Sequence, residues 1–220
     1  MEEDVKKIQK NWSIDECFEF FKANVPIEKI LTDGKNLILK EESDYISYKE
    51  FLSYFSNLKE PISKHNLVIA INFTYGWMPT IFDFRSDKFD EALNVLNIVK
   101  QGDIPKQEQL MVLKKLFNNS LVGTSKILHF INPENISIWD SRVFRYLTNC
   151  EPNDRIDKYE AFLGYIKFCD YISKQESYNE IHILLEKQIN SPMTKFRTIE
   201  LIMYTFGEKP INKIANEPTS

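Results

Sequence analysis

Apolar residues recur at three- and four-residue spacing along most of the chain, and no stretch sustains the period-two alternation of a half-buried strand. Ile14, Cys17, Phe18 and Phe21 form one such face, behind a Ser13–Glu16 capping pattern. Pro26 restarts the chain as a second helix, with Gly34 as its expected end. Ser47 and Glu50 suggest another cap beside Tyr48, Phe51, Leu52 and Phe55. The nearly unbroken apolar run 65–73 suits a buried helix, and it leads into Tyr75-Gly76-Trp77-Met78-Pro79, a turn bracketed by glycine and proline. Further helical faces follow at Phe89–Val99, Leu110–Phe117 and Phe162–Ile172. Ser177–Glu180 reads as a cap before Ile181–Ile189, and Ser191-Pro192 as the start of a last helix running to Gly207. The pattern predicts an all-α protein, one compact helical unit over residues 1–220, with a flexible tail at 208–220.

Leu121–Asn149 stands apart from these faces. It reads as a helix opened by Gly123-Thr124-Ser125, stopped at Asn132-Pro133, then a short apolar connector and a second helix beginning at an acid. Asp140 occupies the N-cap position of that second helix, followed by Val143, Phe144 and Leu147 at helical spacing.

The segment Trp139-Asp140-Ser141-Arg142-Val143-Phe144-Arg145, with the preceding Gly123 hairpin, resembles the helix-hairpin-helix DNA glycosylase superfamily. More loosely, the run from Tyr75 to Arg197-Thr198-Ile199-Glu200 looks like bacterial proteins related to 8-oxoguanine glycosylases. The resemblance implies a two-lobed helical bundle whose hairpin and acid lie at about 106–150. It implies that Asp140 is the catalytic carboxylate and that Gly123, Thr124, Ser125, Lys126, Arg142 and Arg145 meet the DNA backbone. Tyr75 and Trp77, presented by their rigid turn, either wall a base pocket by stacking or plug the junction between two lobes. The family hairpin has two glycines, where Leu121-Val122-Gly123 has one, and Ser125 stands where bifunctional members place a lysine nucleophile. The implied enzyme is therefore a monofunctional hydrolase of the N-glycosidic bond, acting on double-stranded DNA with a modified base and using no cofactor.

Charge and composition adjust this picture. The net charge is −4, which argues against a wholesale nucleic-acid coat. Residues 106–145 nonetheless carry six basic side chains against three acidic ones, a basic patch on an acidic body. Three cysteines without short spacing read as reduced thiols, and three histidines without paired-ligand spacing argue against a zinc site. The N-terminus lacks an apolar signal segment and no run is long enough to span a membrane, so a cytoplasmic protein is expected. His129 reads as a core or half-buried histidine, and Arg197 and Glu200 as a surface or inter-helix pair. The sequence is silent on oligomeric state. A second reading, a non-catalytic helical module binding DNA or a protein, is favoured by the acidic total charge and the single hairpin glycine.

Overall fold

The computed structural model describes residue 8 and residues 11–39, 43–78 and 80–208. The expected flexible tail beyond Glu208, and Pro79 of the aromatic turn, lie outside the described residues. Within them the chain is all-helical: α1 Ile14–Asn24, α2 Ile27–Asn36, α3 Ser43–Ser56, α4 Lys64–Trp77, α5 Phe89–Lys100, α6 Gln107–Leu116, α7 Leu121–Ile131, α8 Ser141–Thr148, α9 Tyr159–Ser173, α10 Glu176–Ile189 and α11 Lys195–Phe206. A 3-10 turn at Asp154–Asp157 precedes α9, and one isolated bridge pairs Phe84 with Phe117. None of these helices is long and apolar enough to cross a membrane.

Two helix starts follow the local signals. Ser13 and Glu16 form a reciprocal capping box at α1, and Asp140 caps α8. Two others do not. Ser47 lies inside α3 and Ser177 inside α10, because Tyr48 and Tyr178 are driven into the core on helices that begin earlier. Burial of an apolar stripe outweighs a cap contributing about 1 kcal/mol. Gly34 does not end α2. It sits inside the helix where an added Cβ would stand 2.4 Å from Ile181 Cγ2, so its bareness lets α2 and α10 approach.

The helices fall into two packing groups. In the first, α7 packs against α3, α4, α5 and α6. In the second, α9 packs against α1, α10 and α11, while α11 also meets α2 and α8. One continuous apolar core runs through both, and its largest fully buried side chain is Trp139. Among the described residues, four asparagines in the left-handed region turn the chain, Asn118, Asn119, Asn149 and Asn190, with φ between 52° and 56°. Asparagine tolerates this region better than other side-chain-bearing residues. Asn118 and Asn119 make the tight link from α6 to α7.

Candidate functional site

Asp140 owes its position to α7. Ser125 and His129, one turn apart on that helix, face the connector that ends in the acid. Ser125 Oγ accepts a hydrogen bond from the Trp139 amide at 3.0 Å and donates to the Val122 carbonyl at 2.8 Å. His129 Nδ1 lies 2.6 Å from the Ile136 carbonyl. A carbonyl only accepts, so Nδ1 carries the proton and Nε2 accepts from the Tyr48 hydroxyl at 2.8 Å. Tyr165 adds a bond from its hydroxyl to the Ile138 carbonyl at 3.1 Å. The connector is thus held by buried polar contacts from two helices, and Trp139 anchors its end by donating Nε1–H to the Ile156 carbonyl at 2.7 Å.

Asp140 then caps α8 through one oxygen. Oδ1 accepts the amides of Arg142 at 2.9 Å and Val143 at 3.0 Å. The carboxylate, 9% exposed, also lines a cavity of about 340 Å³ between the two helical groups. Trp77, Tyr45 and Lys126 reach this cavity from the first group, and Arg197, Glu200 and Tyr204 from the second. Lys126 Nζ stands 5.3 Å from the centroid of the Trp77 ring, within cation–π range.

Arg197 and Glu200 are not the surface or inter-helix pair that their spacing suggested. They form an ion pair within α11, with side chains 9% and 2% exposed. Burial pushes the Glu200 carboxyl up to about 7, against the Arg197 guanidinium, which lowers it, while the Asp140 charge raises it further. The signal for burial was present in the sequence, since both residues lie beside the stripe Phe196, Ile199 and Met203. What no pattern revealed is that this stripe borders a cavity.

Several expected site residues lie elsewhere. Tyr75 is 2% exposed and does not wall the cavity; its hydroxyl donates to the Phe117 carbonyl at 3.0 Å, bracing α4 against the hairpin. Gly123 is not a phosphate-facing helix start. The helix begins at Leu121, capped by Ser120 Oγ, and a Cβ at Gly123 would stand 2.3 Å from the Tyr75 hydroxyl oxygen. The α7 N-terminus is already served by an acid: the Leu121 amide donates to Asp157 Oδ1 at 3.2 Å, and Lys114 pairs with the same carboxylate. A phosphate there would meet a resident negative charge. Thr124 and Ser125 are fully buried, which removes them from any DNA-facing surface. Arg142 pairs with Glu208 at 2.6 Å and lies over the Tyr204 ring. Arg145 donates Nε–H to the Gly207 carbonyl at 2.8 Å, tying α8 to the end of α11. Of the expected DNA contacts, Lys126 is the one that joins Asp140 in the cavity. Cys17 and Cys169 are buried and free, and Cys150 is half-buried.

Neither a protein family nor a curated protein nor a solved structure matches this chain.

His129 sets an acid limit to stability. Burial, helped by the nearby Arg197 charge, lowers its imidazole from the usual 6.5 to about 3. Between those values the unfolded chain holds a proton on this residue that the folded chain does not, so its contribution is complete above about 6.5 and is lost as pH falls towards 3. The full loss amounts to roughly 5 kcal/mol at about 1.4 kcal/mol per unit. Glu200 works in the opposite sense between about 4.5 and 7, where its raised folded value makes stability fall as pH rises. Imidazole proton resonances should show His129 still neutral at pH 5 in the folded protein. Titration near 6.5 without unfolding would refute the assignment.

Proposed function

We propose that this chain is a DNA base-excision glycosylase-like protein that hydrolyses the N-glycosidic bond of a modified base with the Asp140 carboxylate. The observation that carries the reading is that Asp140 spends one oxygen on capping α8 while its carboxylate faces a cavity walled by Trp77. Breaking an N-glycosidic bond builds positive charge on the sugar, and a preorganised carboxylate in a water-poor cleft stabilises that charge. The cavity volume lies at the small end of the roughly 300–1,000 Å³ typical of ligand clefts, which suits one extruded base. Trp77, with Tyr45 and Tyr204 nearby, offers ring faces on which a base would stack, worth about 1–3 kcal/mol. The division of the helices into two groups with the cavity between them also favours the two-lobed glycosylase arrangement.

A second reading, a helical module without catalysis, draws on the α7 N-terminus. Asp157 occupies the place where a phosphate would be held, so the expected grip on the DNA backbone lacks its main element. One screen separates the two. Duplexes each carrying a single modified base are incubated with the protein, then treated with alkali to cleave abasic sites. Release of a base by the wild type supports the glycosylase, and a panel left intact supports the module. Adding borohydride during the reaction tests Lys126. A trapped covalent complex, lost in Lys126→Ala, would replace direct hydrolysis with Schiff-base chemistry.

A further inference from the structure

The cavity holds a second carboxyl group, and the function just proposed gives it no task. Glu200 projects from α11 onto the same cavity that Asp140 lines from the head of α8. Its Oε2 is bound by Arg197 Nη1, so the pair is fixed in place on its own helix. The surrounding polar groups are incompletely satisfied. Arg197 Nε and Trp77 Nε1, both on cavity-lining residues, are buried N–H donors with no hydrogen-bond partner among the described residues. Both are closed off from accessible space, so they belong to the wall behind the cleft and do not meet an occupant. An acid, the Lys126 amine and the Trp77 ring around one cleft fit a planar heterocycle with acceptor atoms on its edge.

Resting on the glycosylase reading, we propose that Glu200 is the general acid that protonates the departing base, opposite Asp140 as the carboxylate serving the sugar. In this division the bond from C1′ to the base nitrogen breaks and its electron pair goes to the base. Glu200 delivers its proton to a ring nitrogen or exocyclic oxygen of that base. Water adds to C1′ as hydroxide equivalent, and its proton passes to Asp140. Proton return from Asp140 through solvent to Glu200 restores the starting state, so the balance is one water consumed for one free base and one abasic sugar.

The environment sets the two carboxyl groups different tasks. Around Glu200 stand Arg197 on its own helix, Asp140 on α8, Lys126 on α7, and Tyr48, Tyr165 and Cys169 on α3 and α9. Arg197 and Lys126 favour its charged form, whereas burial and the Asp140 charge oppose it and prevail, leaving a carboxyl that exchanges its proton at about 7. An acid poised near the working pH is what proton transfer requires. A pair of carboxyl groups with differing environments in one site is the usual basis for dividing such roles.

The test is Glu200→Gln, measured in single-turnover excision of the base that the wild type releases fastest from the duplex panel, across pH 5–9. The expected result is a fall of about 10²–10⁴-fold at pH 6, the range for loss of a positioned acid, and disappearance of the wild-type decline above pH 7. A variant within a few-fold of wild type, or one that keeps the same alkaline decline, overturns the proposal and leaves the glycosylase reading standing. A wild type inert on every duplex overturns that reading, and the proposal with it. Should Glu200→Gln fail to fold, carbon-13 titration of the Glu200 carboxyl in the wild type decides: a midpoint near 7 supports the acid, and one at 4.5 or below refutes it.

Discussion

Asp140→Asn is expected to slow excision by about 10²–10³-fold while leaving the protein folded. Asparagine caps a helix about as well as aspartate, and its side-chain oxygen can take over the amides of Arg142 and Val143. What it cannot do is stabilise positive charge growing on the sugar. Loss of one preorganised electrostatic contact of this kind costs roughly 3–4 kcal/mol of transition-state stabilisation, or about 10²–10³ in rate. Affinity for duplex DNA should hold or rise slightly, since a negative charge facing a polyanion is removed. The same change should let the Glu200 carboxyl fall below about 7, because the Asp140 charge is one of the causes that raise it. A melt, a binding titration and an excision time course on one preparation suffice, and excision at the wild-type rate would end the catalytic assignment of Asp140.

Trp139→Ala should be the most damaging single change to stability near the site. The side chain is fully buried, lies 5.2 Å from the Tyr165 ring and 5.8 Å edge-on to Phe144, and donates to the Ile156 carbonyl. Truncating a buried aromatic costs about 3–5 kcal/mol. Losing the half-buried hydrogen bond to Ile156 adds about 1 kcal/mol. A total stability of about 5–15 kcal/mol leaves little margin against that sum. Trp139→Phe keeps most of the packing and should lose mainly the hydrogen bond. Urea midpoints for the three proteins should therefore order as wild type, phenylalanine, alanine. An alanine variant with an unchanged midpoint would show that the connector does not depend on this anchor.

The geometry of the 121–149 segment was legible in part. Asp140 at a helix start followed from one local rule, that a short acidic side chain before an apolar helical face satisfies the free amides. Trp77 as an aromatic beside the acid was also within reach, because a glycine and a proline frame it. Tyr75, two residues earlier, was not separable from it by sequence. In a helix two positions differ by about 200°, so one of the pair faces the cavity while the other packs on Gly123. The hairpin misled for a related reason. Gly123 reads as the opening of a helix that meets a phosphate, whereas it lies inside α7, bare to admit the Tyr75 hydroxyl, and two asparagines turn the chain before it.

By itself, then, the sequence determined what depends on near neighbours: the helical class from apolar spacing, the caps at Ser13 and Asp140, and the placement of His129 in the core. The tertiary structure decided what depends on which helices meet. It brought Lys126, Asp140 and Glu200, far apart along the chain, to one cavity, and it set Asp157 against the helix end expected to receive a phosphate. It also turned Arg197 and Glu200 from a solvated pair into a buried one, because the apolar stripe beside them is covered by α2, α8 and α9. The physical reason is one of range. Caps and periodicity act over a single helical turn, while burial, and with it the charge state of a carboxyl group, is fixed by surfaces that residues distant in sequence supply.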